Sequence, residues 1–262
     1  MSLVRRAGKA ATIALVAGTV GGAVLLTTEA VLARRRTYAQ PALGLNLRTR
    51  HGEDNAPPLR LVMLGDSSAL GVGVETVKDT VGGQLAALLA APGGAARRVE
   101  LSSVGVSGSR SADLATQVAR ALLGDRPDVA VILVGANDVI GLRSPGEAAG
   151  HLGTAVRRLR EAGVEVVVGT CPDLGAARAI APPLRQVVAY LGRRVARAQL
   201  RAVRAAGGAV VDLATETGPV FRADPATLCS DRYHPSADGY RVWAYALMPA
   251  VADAAGVSPT LP

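Results

Sequence analysis

The sequence predicts a three-layer α/β/α domain built on a five-stranded parallel sheet. Two observations carry this expectation. From Leu59 onward, apolar runs of strand length alternate with longer helix-like segments, the pattern of strands joined by helical crossovers. Three of the runs are also followed by small-residue turns: Gly65-Asp66-Ser67-Ser68, Gly105-Val106-Ser107-Gly108 and Gly135-Ala136-Asn137-Asp138. In a parallel sheet such turns gather at the carboxyl edge, where ligands bind.

The elements follow in order. Leu61-Val62-Met63-Leu64 suits a strand buried on both faces, within a first strand over 59–66. A helix is expected over about 76–91, a second strand over 99–104, and a helix over 112–123 closed by Gly124-Asp125-Arg126-Pro127. The third strand is 128–134. Ser144-Pro145-Gly146-Glu147 opens the next helix, with serine as N-cap, proline at the first helical position and glutamate three residues after the cap. Gly163 stops it, and the fourth strand runs over 165–170. A basic helix over 183–206 ends at Gly207-Gly208, before a fifth strand over 209–213. Residues 214–235 read as a loop and 236–254 as the last helix.

The chain has 262 residues, 49% of them apolar, enough for one sizeable core. The domain is taken as 59–262, preceded by a linker at 37–58 and a tail at 1–36. Of the net charge of +8, the tail carries +5, so the high basicity belongs to the tail and is no nucleic-acid footprint. Nothing in the domain suggests a nucleic-acid partner. Ala10 to Thr28 holds no charged residue. As a helix it would be about 28 Å long, close to bilayer thickness. Three readings stay open: an N-terminal membrane anchor, a secretory signal with Val31-Leu32-Ala33 at the cleavage site, or a helix of the fold. Basic residues flank both ends of the run and leave its orientation open; the expected placement is a membrane-anchored extracytoplasmic domain or a secreted one. His51 reads as a solvated residue of the Pro-broken linker.

Serine hydrolysis needs a nucleophile, a base, a group that orients the base, and donors for an oxyanion. Ser67 sits on the turn that closes the first strand. Only three histidines are present: His51 in the linker, His151 within a helix, and His234 in a loop after a strand. Asp231 precedes His234 by three residues, a spacing that can bring its carboxylate beside the imidazole. Taken alone, this pair is equally an Asp-capped loop and a structural histidine.

Gly65-Asp66-Ser67, Gly105-Val106-Ser107-Gly108, Gly135-Ala136-Asn137-Asp138 and Asp231-Arg232-Tyr233-His234 occur in this order, each after an expected strand. Together they resemble the four blocks of the SGNH hydrolase superfamily, the GDSL-type esterases and lipases, over about residues 59–250. The resemblance implies a flavodoxin-like fold and cleavage of a small-molecule or lipid ester through an acyl-serine intermediate. It implies Ser67 as nucleophile, His234 as general base and Asp231 as its orienting carboxylate. The oxyanion hole would comprise the N–H groups of Ser67 and Gly105 with the amide of Asn137. No metal or organic cofactor is implied. Two departures stand out: Ser68 replaces the leucine of the family name, and Ser103 stands where many members have asparagine. Asp66 and Asp138 read as ties within their own turns.

An acyltransferase with the same triad and a non-catalytic binding module are the rival readings. Cys171 and Cys229 both fall near the carboxyl edge of the sheet, as a disulfide or as two free thiols. Arg178, Arg185 and Arg222 read as solvated surface, or as contacts to an acidic head group.

Overall fold

The computed structural model describes residues 22–33, 36–41, 47–91 and 97–256. Six strands form one sheet: β1 (Thr49–His51), β2 (Pro58–Gly65), β3 (Arg98–Ser103), β4 (Val129–Leu133), β5 (Glu165–Gly169) and β6 (Ala209–Val211). Their order is β1-β3-β2-β4-β5-β6. The five expected strands are all parallel, and β1 adds an antiparallel edge through Thr49↔Leu101 and His51↔Val99.

The apolar runs are near-continuous because the central strands are covered on both faces. Side chains alternate across the pleat. Leu61, Met63, Val131 and Leu133 face one core with α2 (Val81–Ala90) and α9 (Ala237–Ala254). Val62, Leu64, Ala130 and Ile132 face the other, against α3 (Leu114–Ala121), α5 (Pro145–Glu161) and α6 (Leu184–Ala205). The start of α5 is as expected: Pro145 opens it, and the Ser144 hydroxyl accepts from the Glu147 N–H.

Three expectations change. The first helix begins at Val81, because Thr80 caps it and residues 77–79 make a separate tight turn. The loop over 214–235 contains two short helices, α7 (Leu213–Glu216) and α8 (Gly218–Ala223). The stretch taken as a linker over 37–58 belongs to the fold in part: it supplies β1 and the start of β2, and Leu47 is buried in the core. His51 therefore sits in an edge strand, half-buried, instead of in a solvated linker.

At the amino-terminal side, residues 22–33 are helical (α1). Its half-buried residues are Leu26, Glu29, Ala30 and Ala33, a spacing that makes one stripe toward the domain. Among the described residues no helix is long and apolar enough to cross a membrane. The anchor expected over Ala10 to Thr28 thus finds no support there, and its first twelve residues, up to Gly21, lie outside the described residues.

Candidate active site

The carboxyl ends of β2, β3, β4 and β5 open onto one cleft of about 510 Å³. Ser67 follows β2, Ser107 and Gly108 follow β3, Asn137 follows β4, and Asp173 follows β5. His234 closes the ring from the loop before α9.

The Ser67 turn is fixed by backbone geometry. Gly65 has φ +131, and a side chain there would run into the Leu133 backbone of β4. Only glycine permits both the conformation and the close approach. The chain then turns through Ser67 to Gly73 without forming a helix, tied by the Val72 N–H to the Ser67 carbonyl at 3.0 Å. Asp66 is buried, and its carboxylate accepts from the Ser68 N–H at 2.9 Å. Burial raises the Asp66 carboxyl to about 6 against the pull of that hydrogen bond.

The expected catalytic side chains meet. His234 Nε2 lies 3.1 Å from Ser67 Oγ, and His234 Nδ1 lies 2.6 Å from Asp231 Oδ2. With the Nδ1 proton donated to the carboxylate, Nε2 is left to accept from the serine hydroxyl. His234 does not reach Ser68, whose N–H serves Asp66, so the imidazole selects Ser67 of the two serines. Asp231 is held from all sides. Its Oδ1 accepts the N–H groups of Tyr233 and His234, at 2.8 and 2.9 Å, and the Cys229 thiol at 3.1 Å. Its Oδ2 also accepts the Ala39 N–H at 3.0 Å. Burial alone would raise this carboxyl, but the hydrogen bonds from His234, Ala39 and Cys229 outweigh it and hold the group well below the usual carboxylate range.

The oxyanion donor expected at Gly105 is not placed for that role. Its N–H is directed to Ser103 Oγ at 3.2 Å, and a Cβ at Gly105 would pack 3.1 Å from Ala69, behind the cleft. Ser103 thus caps the turn where asparagine was missed. Gly108 lines the cleft instead, with φ +81 and open space where a side chain would stand. The N–H groups of Ser67 and Gly108 donate to no acceptor among the described residues. Asn137 also lines the cleft, its Nδ2 donating to the Ser109 carbonyl at 3.0 Å, which leaves a second amide hydrogen.

Other assignments divide. Asp66 ties its own turn, but Asp138 reaches across to the Ser111 hydroxyl and N–H, joining α4 (Ala136–Ile140) to the loop before α3. Cys171 and Cys229 are free thiols. Burial, then the Asp231 carboxylate, pushes Cys229 up to about 11, so it stays a donor. Arg222 pairs with Asp173, Arg178 donates to the Arg222 carbonyl, and Arg185 donates to the Ile180 carbonyl. His151 is exposed on α5.

Two buried glutamines went unnoticed in the sequence. Gln117 bonds both the N–H and the carbonyl of Gly65, at 2.7 and 2.9 Å, and Ser109 Oγ. Gln199 bonds the Cys171 N–H and the Val134 carbonyl, at 2.7 and 2.9 Å. Each staples two strand-end loops of the cleft. The signal available was a lone amide on an otherwise apolar helical stripe, as in Leu114, Gln117, Val118 and Ala121.

A flavodoxin-like parallel sheet with serine, imidazole and carboxylate in hydrogen-bonded line at its carboxyl edge has the arrangement of the α/β serine hydrolases. The profile of the GDSL-like Lipase/Acylhydrolase family matches residues 63–242, and the chain belongs to that family. It is 44% identical over 198 residues to the GDSL-like esterase Rv1075c of Mycobacterium tuberculosis, a match that covers 75% of this chain and 62% of that relative. The chain thus spans less than two thirds of its curated relative. Two solved structures share the fold. The acetylxylan esterase Axe2 of Geobacillus stearothermophilus has a TM-score of 0.57 at 21% identity, covering 79% of this chain and 98% of that one. The lipase/acylhydrolase of Enterococcus faecalis has a TM-score of 0.58 at 21% identity, covering 78% and 100%.

Proposed function

We propose that this protein is a carboxylic ester hydrolase acting through an acyl-Ser67 intermediate. The observation that carries the reading is the unbroken line from Ser67 Oγ through His234 to Asp231, open to the cleft. Ser67 Oγ attacks the ester carbonyl carbon while its proton passes to His234 Nε2. Asp231 stabilises the imidazolium. The tetrahedral oxyanion is met by the N–H groups of Ser67 and Gly108 and by the Asn137 amide. Collapse breaks the carbonyl–alkoxy bond, and His234 returns the proton to the leaving alcohol. Water then repeats the sequence on the acyl-serine, and the acid leaves.

The wall of the cleft favours an ester with an apolar part. Val139, Leu142, Leu174, Ile180, Val188 and Trp243 line it, and among the described residues no lysine or arginine does. Lipid esters and esters of acylated small molecules or glycans are the substrate class.

The test is labelling of the full chain with a fluorescent fluorophosphonate, wild type against Ser67→Ala, followed by a panel of p-nitrophenyl esters with and without an added alcohol acceptor. Labelling and ester cleavage that both vanish in Ser67→Ala support the reading. Product dominated by transfer to the alcohol would make it an acyltransferase. A folded wild-type chain that neither labels nor cleaves would leave a binding module.

A membrane-tethered, extracytoplasmic placement is part of the same proposal. It rests on the sequence alone, on the uncharged run from Ala10 to Thr28. Sedimentation of the full chain with membranes, resistant to alkaline carbonate, is the expected result, and release into the supernatant would refute it.

A further inference from the structure

We infer that residues 22–33 and 36–41 are a working part of the active site: the Ala39 N–H positions the catalytic carboxylate, and the inner face of α1 closes the cleft. The inference rests on the ester-hydrolase reading above.

Three independent contacts seat this segment. Ala39 donates to Asp231 Oδ2, the same oxygen that faces His234 Nδ1. The Tyr38 ring stands edge-on to Tyr233, with centroids 5.1 Å apart, and to His234 at 6.4 Å. Its hydroxyl donates to the Ala33 carbonyl at 3.1 Å, which couples the extended stretch to α1. One turn earlier, Glu29 Oε2 accepts the Leu184 N–H at 2.9 Å. Leu184 opens the 22-residue helix α6, so a carboxylate meets the positive end of a long helix. The result is a stripe in which Ala30 and Ala33, the small residues, line the same cleft as Val139 and Val188.

The chemistry gives each contact a consequence. An orienting carboxylate works only if its own position is fixed, because it must hold one tautomer of the imidazole. Four donors on Asp231 come from its own loop, His234 included, and the fifth comes from Ala39, 192 residues away. The Ala39 donor is therefore the one that ties the catalytic loop to the amino-terminal segment. The Ala30 and Ala33 methyls leave room for an acyl chain that a larger residue would occupy.

Full-length variants test this on p-nitrophenyl acetate and p-nitrophenyl octanoate. Ala39→Pro deletes the N–H. Loss of a hydrogen bond to a charged group predicts a kcat on the acetate lower by about ten-fold, with KM little changed. Ala39→Gly keeps the N–H and recovers most of that loss. Ala33→Phe narrows the cleft and lowers the octanoate-to-acetate ratio of kcat/KM by about ten-fold. If Ala39→Pro does not fold, Glu29→Lys decides: it sets a cation against the start of α6, lifts the segment, and lowers kcat and shifts the ratio together. Ala39→Pro matching Ala39→Gly, or Glu29→Lys matching wild type where the proline variant is lost, overturns the positioning role. An unchanged ratio in Ala33→Phe overturns the wall. A wild-type chain that cleaves and labels at Ser67 while these variants behave as wild type keeps the hydrolase reading and sinks this inference alone. A wild-type chain that does neither removes both.

Discussion

His234 Nε2 lies 3.1 Å from Ser67 Oγ, although 167 residues separate the two in the chain. The serine is delivered by β2 at the centre of the sheet and the histidine by the last loop, so the pair forms only once the sheet is complete. The imidazole is oriented from its other side by Asp231, and Asp231→Asn is expected to lower kcat roughly 10,000-fold through the wrong tautomer, with the fold intact. Circular dichroism alongside steady-state ester hydrolysis checks it. A loss below about ten-fold would remove Asp231 from the orienting role.

The oxyanion donors can be separated by kinetics. Asn137→Ala is expected to cost about 100- to 1,000-fold in kcat, with little change in KM. Ser103→Ala removes the partner of the Gly105 N–H, behind the cleft. It is expected to cost about 1 kcal/mol of stability while kcat stays within a few-fold. A large kcat loss in Ser103→Ala would return the oxyanion role to the Gly105 turn.

Asp66 sets a pH dependence. Burial raises its carboxyl to about 6, so the native state holds this proton more tightly than the unfolded chain does. Its contribution is favourable at acid pH and is lost as pH rises from the ordinary carboxylate range through about 6. At pH 8 the buried charge costs up to about 3 kcal/mol. Asp66→Asn should therefore raise the Tm relative to wild type at pH 8 and by much less at pH 4. Equal differences at both pH values would show that Asp66 titrates normally.

Gln117→Met keeps the volume but abandons the Gly65 N–H and carbonyl, both buried. Leaving buried backbone groups unpaired costs roughly 1–3 kcal/mol each. A denaturant midpoint close to that of wild type would show that the staple is dispensable.

Most of the scaffold was legible because its determinants are local. Continuous apolar runs such as Leu61 to Leu64 mark strands covered on both faces. Ser144-Pro145 marks a helix start, and Gly65 marks a turn that only glycine can make. Three residues suffice to bring the Asp231 carboxylate back to the His234 imidazole, but the link of that pair to Ser67 was legible only through the four-block resemblance. Gly105 and Gly108, three residues apart, are equivalent as letters. Which N–H faces the cleft depends on Ser103 taking one of them.

The sequence by itself determined the parallel α/β/α scaffold and the order of its elements, because periodicity, capping and turn chemistry act over a few residues; the roles of Ser67, His234 and Asp231 came from the resemblance of four short blocks. Only the tertiary structure decided that β1 joins the sheet, that Gly108 and not Gly105 lines the cleft, that Gln117 and Gln199 staple its loops, and that Ala39 bonds Asp231. Each of these is a hydrogen bond or close approach between segments distant in the chain. Such a contact is specified by how the sheet and helices pack, and polar or small residues carry no periodic signal that announces it.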